Sequence, residues 1–386
     1  MFLPRAFLPL LLLLTAVSAQ HRLEPKGAST PHVRFGYAVC AARDHVAVTA
    51  IASLGGGGVT YVYGRVGDTW DETPVELPVP RIESAIGTSC AITGEWLVVA
   101  GVVDGYSTPQ LLFYKRTGAN TWGAPSVSGL FDSRTGFMEM DMDGTTLVAT
   151  TDLDTYVFEV NASTGAWEET QRLGRGAWNV AVSSEDVIVT MDDDSLQVYR
   201  KVTGQWQRAE ALNGGLTGNL TRIAAAGGRV FWASTGFDAR SPGRMTSFEQ
   251  ESGSMFSKGG RLYEPGCDAG FAYGTGLAAS DDLIVVGAPR AASGDMDAPL
   301  DGRVYVYNAT SELSVVIFPE RGVSRFGAVV ATYADVIVVS NGYGDVFAYN
   351  TAAFGNSMTW GPTPRGPTPR PTPHPTRRPT RRPTRR

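Results

Sequence analysis

The feature that most constrains this chain is a pattern that recurs seven times between residues 34 and 360. The second strand of each unit is predicted to begin at a valine or leucine, and successive starts lie 40–53 residues apart. These starts are Val46, Leu97, Leu147, Val187, Val230, Leu283 and Val336. Such a period is typical of a four-stranded β-propeller blade. The sequence therefore predicts an all-β fold, a seven-bladed β-propeller of four-stranded blades.

Each unit has the same internal order. A glycine-containing strand, such as Phe35-Gly36, opens the unit, and a tight turn leads into the second strand. The third strand alternates aromatic and aliphatic residues. The fourth begins at an aromatic residue in five units, at Trp70, Trp122, Trp167, Trp206 and Phe256. One aromatic per blade at one position is interpreted as packing between blades, with a row of ligand-binding residues as the alternative.

The two ends of the repeat region predict how the ring closes. Residues 20–23 (Gln-His-Arg-Leu) are similar to the end of a predicted fourth strand, residues 170–173 (Thr-Gln-Arg-Leu). We therefore expect the N-terminal segment to pair into the last blade, with a disordered leader as the alternative. The domains expected are a signal peptide (1–19), a propeller (20–360) and a Pro/Thr/Arg-rich disordered tail (361–386).

Residues 1–19 have the pattern of a secretory signal. Arg5 precedes an apolar run with five consecutive leucines, and small residues lead to Ala19. A membrane anchor is the alternative, but the run is short for a bilayer. No later stretch reaches transmembrane length. We expect a secreted protein, extracellular or associated with a cell wall.

The formal net charge of −5 combines an acidic body with a basic C-terminal region. Residues 20–360 carry 24 basic and 38 acidic residues, a net charge of −14, whereas residues 361–386 carry eight arginines and no acid. An acidic body argues against nucleic acid as a partner. The basic tail suits an anionic polysaccharide or cell wall, and a solvated spacer or the stub of a missing anchor is the alternative.

Three cysteines, Cys40, Cys90 and Cys267, cannot all pair within one chain. Cys40 and Cys90 hold matching places in the first two units, which would allow a disulfide between neighbouring blades. Three free thiols are the alternative.

The sixth and seventh units have the most regular motifs. They contain Asp282-Leu283-Ile284-Val285-Val286-Gly287-Ala288-Pro289, then Asp301-Gly302-Arg303-Val304-Tyr305-Val306-Tyr307, then Arg325-Phe326-Gly327. This resembles the FG-GAP repeat family, which includes the propeller of integrin α subunits. The resemblance spans residues 34–360 and implies a seven-bladed propeller used for extracellular recognition or adhesion. The calcium loop of integrin-type repeats is missing, because the turn between the first and second strands is short in every unit.

Acidic residues recur instead in the loops between predicted second and third strands. These loops are expected on one face of the propeller, either as a ligand-facing surface or as ordinary turn residues. They contain Asp104, Asp152, Asp154, Asp192, Asp193, Asp194, Asp238, Asp295, Asp297, Asp301 and Asp345. The candidate metal ligands are Asp295, Asp297 and Asp301, whose oxygens suit calcium.

Three N-glycosylation sequons begin at Asn161, Asn219 and Asn308. Asn161 and Asn308 fall in the turn after the third strand, which a propeller places on the face opposite the acidic loops. Glycans there would leave the acidic loops accessible.

No catalytic constellation is visible. Four histidines occur, and only His45 falls within a predicted blade, so a Ser-His-Asp triad would have to use it. We expect a non-catalytic recognition or adhesion module with an extracellular protein or glycan ligand. The alternatives are a glycan-binding or glycan-cleaving propeller and a structural wall protein attached through its tail.

Overall fold

The computed structural model describes residues 20–26, 34–51, 57–79, 86–103, 108–129, 131–133, 138–174, 176–183, 187–191, 195–213, 221–235, 243–250, 256–263, 272–290 and 301–351. These residues form β-strands joined by turns and contain no α-helix. Within this described part there is accordingly no helix long and apolar enough to cross a membrane. The predicted signal peptide and tail lie outside it, as does Cys267.

The strands form seven antiparallel sheets, which are the seven predicted blades. Blade 1 contains β2 (Arg34–Ala41), β3 (His45–Ile51), β4 (Val59–Val66) and two short outer pieces, β5 (Thr69–Trp70) and β6 (Val75–Glu76). Blade 2 contains β7 (Ile86–Ile92), β8 (Trp96–Val103), β9 (Thr108–Gly118), β10 (Thr121–Trp122) and β11 (Ser126–Val127). Blade 3 contains β12 (Glu139–Asp143), β13 (Thr146–Thr150), β14 (Thr155–Val160) and β15 (Trp167–Arg172).

The remaining blades have one strand at each of the four positions. Blade 4 contains β16 (Asn179–Ser183), β17 (Val187–Met191), β18 (Leu196–Val202) and β19 (Gln205–Leu212). Blade 5 contains β20 (Thr221–Ala226), β21 (Arg229–Ser234), β22 (Arg244–Gln250) and β23 (Phe256–Tyr263). Blade 6 contains β24 (Gly276–Ala279), β25 (Leu283–Ala288), β26 (Arg303–Asn308) and β27 (Leu313–Ile317). Blade 7 contains β28 (Val329–Tyr333), β29 (Val336–Ser340), β30 (Val346–Asn350) and β1 (Gln20–Leu23).

The N-terminal strand closes the ring, as predicted. β1 pairs antiparallel with β30, with Gln20 opposite Tyr349 and Leu23 opposite Val346. Leu23 is 1% exposed and belongs to the apolar cluster shared by blades 7 and 1. Closure therefore joins the two ends of the described chain in one sheet and covers the outer edge of β30.

The hydrophobic core is divided into seven clusters, one at each interface between neighbouring blades. The second strands are mostly buried because both of their faces pack against an adjacent blade, and every residue of β17, β25 and β29 is buried. This explains the continuous apolar runs at these positions, where a one-sided sheet would alternate apolar and polar residues.

The aromatic residues that open the fourth strands pack against the preceding blade, which confirms the packing interpretation. Trp167 of blade 3 stacks on Phe113 of blade 2 with ring centroids 5.8 Å apart. Trp206 of blade 4 donates from Nε1 to Glu159 of blade 3 at 3.1 Å. Such rings fill the outer part of each interface.

The glycines that open the first strands allow close contact between blades. A Cβ on Gly87 would lie 2.7 Å from Cβ of Thr49 in the preceding blade, and one on Gly274 would lie 2.8 Å from Cβ of Ala233. Gly87 also has a φ of +101°, a backbone conformation that residues with a Cβ atom rarely adopt. Glycine is thus required by the blade interface as well as by the backbone.

Buried hydroxyl groups form hydrogen bonds across two of the blade interfaces. Thr49 Oγ1 donates to the carbonyl of Gly87 at 2.7 Å, and Ser340 Oγ donates to the carbonyl of Gly36 at 2.7 Å. Each hydroxyl lies in the last part of a second strand and bonds to the opening glycine of the next blade. It gives a backbone carbonyl a hydrogen-bond partner across the blade interface.

Ion pairs link adjacent blades at the opposite ends of the second strands. Arg65 of blade 1 makes two hydrogen bonds to Asp335 of blade 7, at 2.9 and 2.7 Å. Arg116 of blade 2 bonds to Asp44 of blade 1 at 2.7 Å. The hydrogen bonds from Arg65 hold the pKa of Asp335 below its ordinary value.

Cys40 and Cys90 form a disulfide between β2 and β7, the innermost strands of blades 1 and 2. Their Cα atoms are 6.0 Å apart, within the usual range for this bond. The bridge is thus a covalent contact between neighbouring blades.

Candidate functional site

A central channel with a volume of about 1250 Å³ runs along the axis of the propeller. All seven first strands line it, because each blade presents its first strand to the axis. The upper face of the propeller is defined here by the loops between second and third strands, together with the connections between blades. The lower face carries the turns between first and second strands and between third and fourth strands.

The two rims of this channel differ in charge. Among the described residues that line the channel, the upper rim has three arginines, Arg34, Arg222 and Arg325, and one acid, Glu139. The described charged residues of the lower rim are all acids: Glu95, Asp143, Asp281 and Asp282. A cleft lined mainly by one sign of charge concentrates the potential at its mouth. The described lining residues therefore give the upper mouth an excess of positive charge.

An exposed aromatic ring stands at the upper mouth. Tyr343 is 53% exposed and lies in the turn between β29 and β30. Gly342 and Gly344 flank it with φ values of +76° and +134°. Asn341 stabilises the turn, because its Oδ1 accepts the N–H groups of Tyr343 at 2.8 Å and of Asp345 at 3.1 Å. This is an Asx-type turn that presents Tyr343 from a defined backbone.

Two arginines lie against that ring. The guanidinium carbon of Arg325 is 4.9 Å from the Tyr343 ring centroid, and that of Arg34 is 5.6 Å away. Arg325 also donates from Nη1 to the Tyr343 hydroxyl at 2.9 Å. Within the described ranges, neither arginine forms a salt bridge to a carboxylate. We call Arg34, Arg325 and Tyr343 the mouth cluster.

The third arginine of the upper rim is paired. Arg222 of blade 5 bonds to Glu139 of blade 3 at 2.9 Å, and Ser89 of blade 2 donates to the same carboxylate at 3.3 Å. Both members of the ion pair are partly exposed to the channel. Glu139 therefore neutralises Arg222 and lowers the positive charge of the mouth.

Asp141 lies on the same strand as Glu139, deeper in the channel wall. Its carboxylate accepts the N–H groups of Val182 in blade 4 at 2.8 Å and of Met142 at 2.9 Å. Burial raises the pKa of Asp141 to about 6, despite those two hydrogen bonds. It joins blades 3 and 4 and titrates close to neutral pH.

The predicted acidic residues that the structure describes make local contacts on the upper side. Asp152 accepts from Ser133 Oγ at 2.8 Å, and Asp154 accepts from the N–H of Thr155 at 2.9 Å. Asp345 bonds to Arg22 at 2.6 Å and to Asn341 at 2.8 Å. These contacts correspond to the turn role, and for Asp345 they also hold β1 in place.

Only one of the three predicted calcium ligands lies among the described residues. Asp301 is described, but Asp295 and Asp297 lie outside the described residues, as do Asp104, Asp192, Asp193, Asp194 and Asp238. Among the residues that the structure does describe, no three histidine, cysteine, aspartate or glutamate side chains are grouped to hold a metal. A calcium site at Asp295, Asp297 and Asp301 stays a prediction.

Two predicted glycosylation sites lie on the lower face, opposite the loops with Asp152 and Asp345. Asn161 follows β14 and Asn308 ends β26, so both are in the turn after a third strand. Asn161 donates from Nδ2 to Glu168 at 2.9 Å, and Asn308 donates to Glu312 at 3.1 Å. Asn219 lies outside the described residues. Glycan attachment stays a prediction.

His45 lies in a blade interface, away from the upper mouth. It is 1% exposed, its Nε2 is 3.0 Å from the carbonyl oxygen of Ala119, and its ring meets Trp122 edge-on at 5.7 Å. His45 thus contacts the neighbouring blade, an arrangement that serves packing. The other described histidine, His21, lies opposite Ala348 in the outer strand of blade 7.

Sequence reasoning missed the mouth cluster, although a signal was present. Arg34-Phe35-Gly36 and Arg325-Phe326-Gly327 are the same tripeptide at the openings of blades 1 and 7. Because these blades are neighbours in the closed ring, their equivalent arginines lie side by side. Tyr343 lies between them, in the turn between β29 and β30, and it contacts Arg34 only because the ring closes.

No protein-family model matches the sequence, and no curated protein matches it. Among solved structures, a chain of the mitotic checkpoint complex is similar at a TM-score of 0.55, with 12% identity over 86% of this chain and 93% of that chain. Sqt1 of Saccharomyces cerevisiae has a TM-score of 0.46 and 12% identity over 83% and 84% of the two chains. The computationally designed Ika8 protein has a TM-score of 0.46 and 13% identity over 83% and 98%. At this identity, the likeness to the checkpoint-complex chain supports the β-propeller fold and nothing further.

Proposed function

We propose that this protein is an exported, non-catalytic recognition module that binds an extracellular ligand at the upper mouth of its channel. The observation that carries the proposal is the mouth cluster: an exposed tyrosine on a stabilised turn, flanked by two arginines without a carboxylate partner among the described residues. Aromatic and arginine side chains are the residue types most enriched in binding hot spots.

Export has support from the position of β1. The closing strand begins at Gln20, directly after the predicted cleavage site at Ala19. Signal removal would therefore leave the closing strand at the new N-terminus. An interblade disulfide at Cys40 and Cys90 is also suited to an oxidising compartment. The resemblance to FG-GAP repeats agrees with an extracellular adhesion role, and calcium binding in the predicted loop would be compatible with it.

A non-catalytic role has support from the mouth itself. General acid–base catalysis requires a titrating group within hydrogen-bonding reach of the ligand. Among the described residues, Glu139 at the mouth is bonded to Arg222. Asp141, deeper in the same wall, is buried and accepts two backbone N–H groups. His45 is buried in a blade interface.

The test is an array of extracellular glycans and proteins probed with the full exported chain, in calcium and in chelator. We expect a specific signal that falls at least about tenfold in Arg325→Ala/Tyr343→Ala. It should persist in the lower-rim control Glu95→Ala/Asp143→Ala. A signal lost only when the eight tail arginines become glutamine would instead indicate a tail-attached structural protein. Release of reducing ends from an arrayed glycan would overturn the non-catalytic role.

A further inference from the structure

We infer that the ligand of the upper mouth is an anionic polysaccharide, whose carboxylate or sulfate groups are bound by Arg34 and Arg325. This inference rests on the proposed function and names the ligand class for the same site. It is carried by the charge, the geometry and the hydroxyl groups of the mouth.

The mouth cluster carries positive charge that no described carboxylate neutralises. Residues 20–360 hold 38 acids and 24 basic residues, and Arg222 at the same rim has a carboxylate partner. Arg34 and Arg325 have none within the described residues and contact the same tyrosine ring instead. Two adjacent guanidinium groups with free donors form a site for oxyanions.

The two arginines of the mouth cluster are held in place before a ligand binds. The two arginines come from the openings of adjacent blades, and Tyr343 holds both guanidinium groups against one ring. The turn under Tyr343 is closed by Asn341, and Gly342 donates its N–H to Ser340 Oγ at 2.9 Å. A ligand therefore meets cations already ordered, which reduces the entropy lost on binding.

The channel wall below the mouth cluster bears on the remainder of the ligand. It presents the half-buried hydroxyl groups of Thr88 and Thr275, which donate to carbonyl groups of the protein and keep oxygen lone pairs as acceptors. Ser89 and Asn179 also line the channel but are buried and already hydrogen-bonded within the protein. A polyhydroxylated chain brings hydroxyl donors for such acceptors, and a volume of about 1250 Å³ accommodates several sugar rings. An acidic peptide satisfies the arginines but offers only its backbone N–H groups as donors, because its side chains are acceptors. The wall thus favours a saccharide over a peptide.

The charge of the tail agrees with a polyanionic ligand. Residues 361–386 carry eight arginines and no acid, so they have the same sign of charge as the mouth cluster. The tail and the mouth cluster can therefore bind different segments of one polyanion. Two linked contacts of this kind raise the overall affinity.

Glu139 limits the positive charge of this site and therefore its affinity for anions. It neutralises Arg222, the third arginine of the rim, across the channel wall. Replacing Glu139 by glutamine keeps a side chain of the same shape and frees one positive charge. Anion binding at the mouth should then increase, by contrast with the loss expected on removing Arg34 and Arg325.

The experiment measures binding of the full exported chain, in which the eight tail arginines are replaced by glutamine, to four immobilised polymers. These are a uronic-acid polymer, a sulfated polysaccharide, a neutral polysaccharide and poly-glutamate. We expect binding to one of the two anionic polysaccharides, a loss of at least about tenfold in Arg34→Ala/Arg325→Ala, and a gain of about twofold to fivefold in Glu139→Gln. Binding should weaken as salt rises.

The matched control is Arg208→Ala/Arg261→Ala, which removes the same charge from the outermost strands of blades 4 and 5 and should leave binding unchanged. Thermal unfolding of each variant checks that it folds. Binding to poly-glutamate alone, or to the neutral polymer with the same sensitivity to Arg34→Ala/Arg325→Ala, would overturn the ligand class and retain the mouth as the site. Binding that none of the mouth variants changes would overturn the proposed function as well.

Discussion

Asp141 illustrates how a single side chain in this protein serves two neighbouring blades. The first strands line the channel, so some of their N–H groups have no strand partner on that side. Asp141 supplies an acceptor to Val182, and Asn179 does the same for Ile223 in the next blade at 2.9 Å. A buried N–H group without an acceptor costs about 1–3 kcal/mol, so these side chains are part of the fold.

The raised pKa of Asp141 predicts a pH dependence of stability. Because folding raises this pKa from 3.8 to about 6, the folded protein holds the proton more tightly than the unfolded chain. The stabilisation is fully present below about pH 4 and is lost as the pH rises through about 6. Relative to the wild type, Asp141→Asn should therefore gain about 2–3 kcal/mol of unfolding free energy between pH 4 and pH 7.

Denaturant unfolding of both proteins at several pH values measures this difference. Glu95→Gln removes a negative charge from the rim of the same channel and controls for the change in net charge. Parallel pH curves for the wild type and Asp141→Asn would show that the carboxyl group titrates alike in the folded and unfolded states.

Among the strands, β1 makes three kinds of contact with blades 7 and 1 although it has only four residues. It covers the edge of β30, places Leu23 in the cluster shared by blades 7 and 1, and brings Arg22 to Asp345. Asp345 belongs to the turn that presents Tyr343. The closing strand is therefore connected to the mouth cluster through a single ion pair.

The burial of Leu23 predicts that β1 is needed for stability. Leu23→Ala should lower the unfolding free energy by about 2–4 kcal/mol, because it leaves a cavity between two blades. Gln20→Ala, in the same strand but with an exposed hydrogen bond to Glu320, should change it by less than about 0.5 kcal/mol. Equal effects of the two substitutions in chemical denaturation would contradict the pairing of β1 in blade 7.

The whole molecule is a ring of seven interfaces, each with its own apolar cluster. The disulfide between Cys40 and Cys90 crosses one of them and closes a loop with a sequence separation of 50 residues. The ring also brings the openings of blades 1 and 7 together, which are far apart in sequence. Covalent and non-covalent closure thus act on neighbouring interfaces.

Loss of this disulfide should destabilise the protein. Chain entropy for a loop of this length gives about 4 kcal/mol, and removal of a native bridge from a secreted domain typically costs about 2–5 kcal/mol. We expect such a decrease for Cys40→Ala/Cys90→Ala in denaturant unfolding and a much smaller one for Cys267→Ala. Non-reducing peptide mapping that pairs Cys267 with either of the other two, or finds three free thiols, would contradict the bridge.

The sequence by itself determined the blade count, the strand order and the closing strand. These follow from a local period in which valine and leucine runs, turn glycines and one aromatic recur at fixed positions, as around Val187 and Trp206. It also marked Asp152 and Asp345 as turn residues, one of two interpretations. The strand order depends on neighbours within a single blade, whereas the blade count and the closing strand come from comparing one unit of sequence with the others.

Only the tertiary structure decided the mouth cluster, the pairing of Glu139 with Arg222, and the bonds from Thr49 and Asp141 to the next blade. Arg34 and Arg325 are 291 positions apart in the chain and become neighbours only when the ring closes. The physical reason is that the repeat specifies each blade locally, whereas the charge of the channel mouth depends on which blades the closed ring makes adjacent.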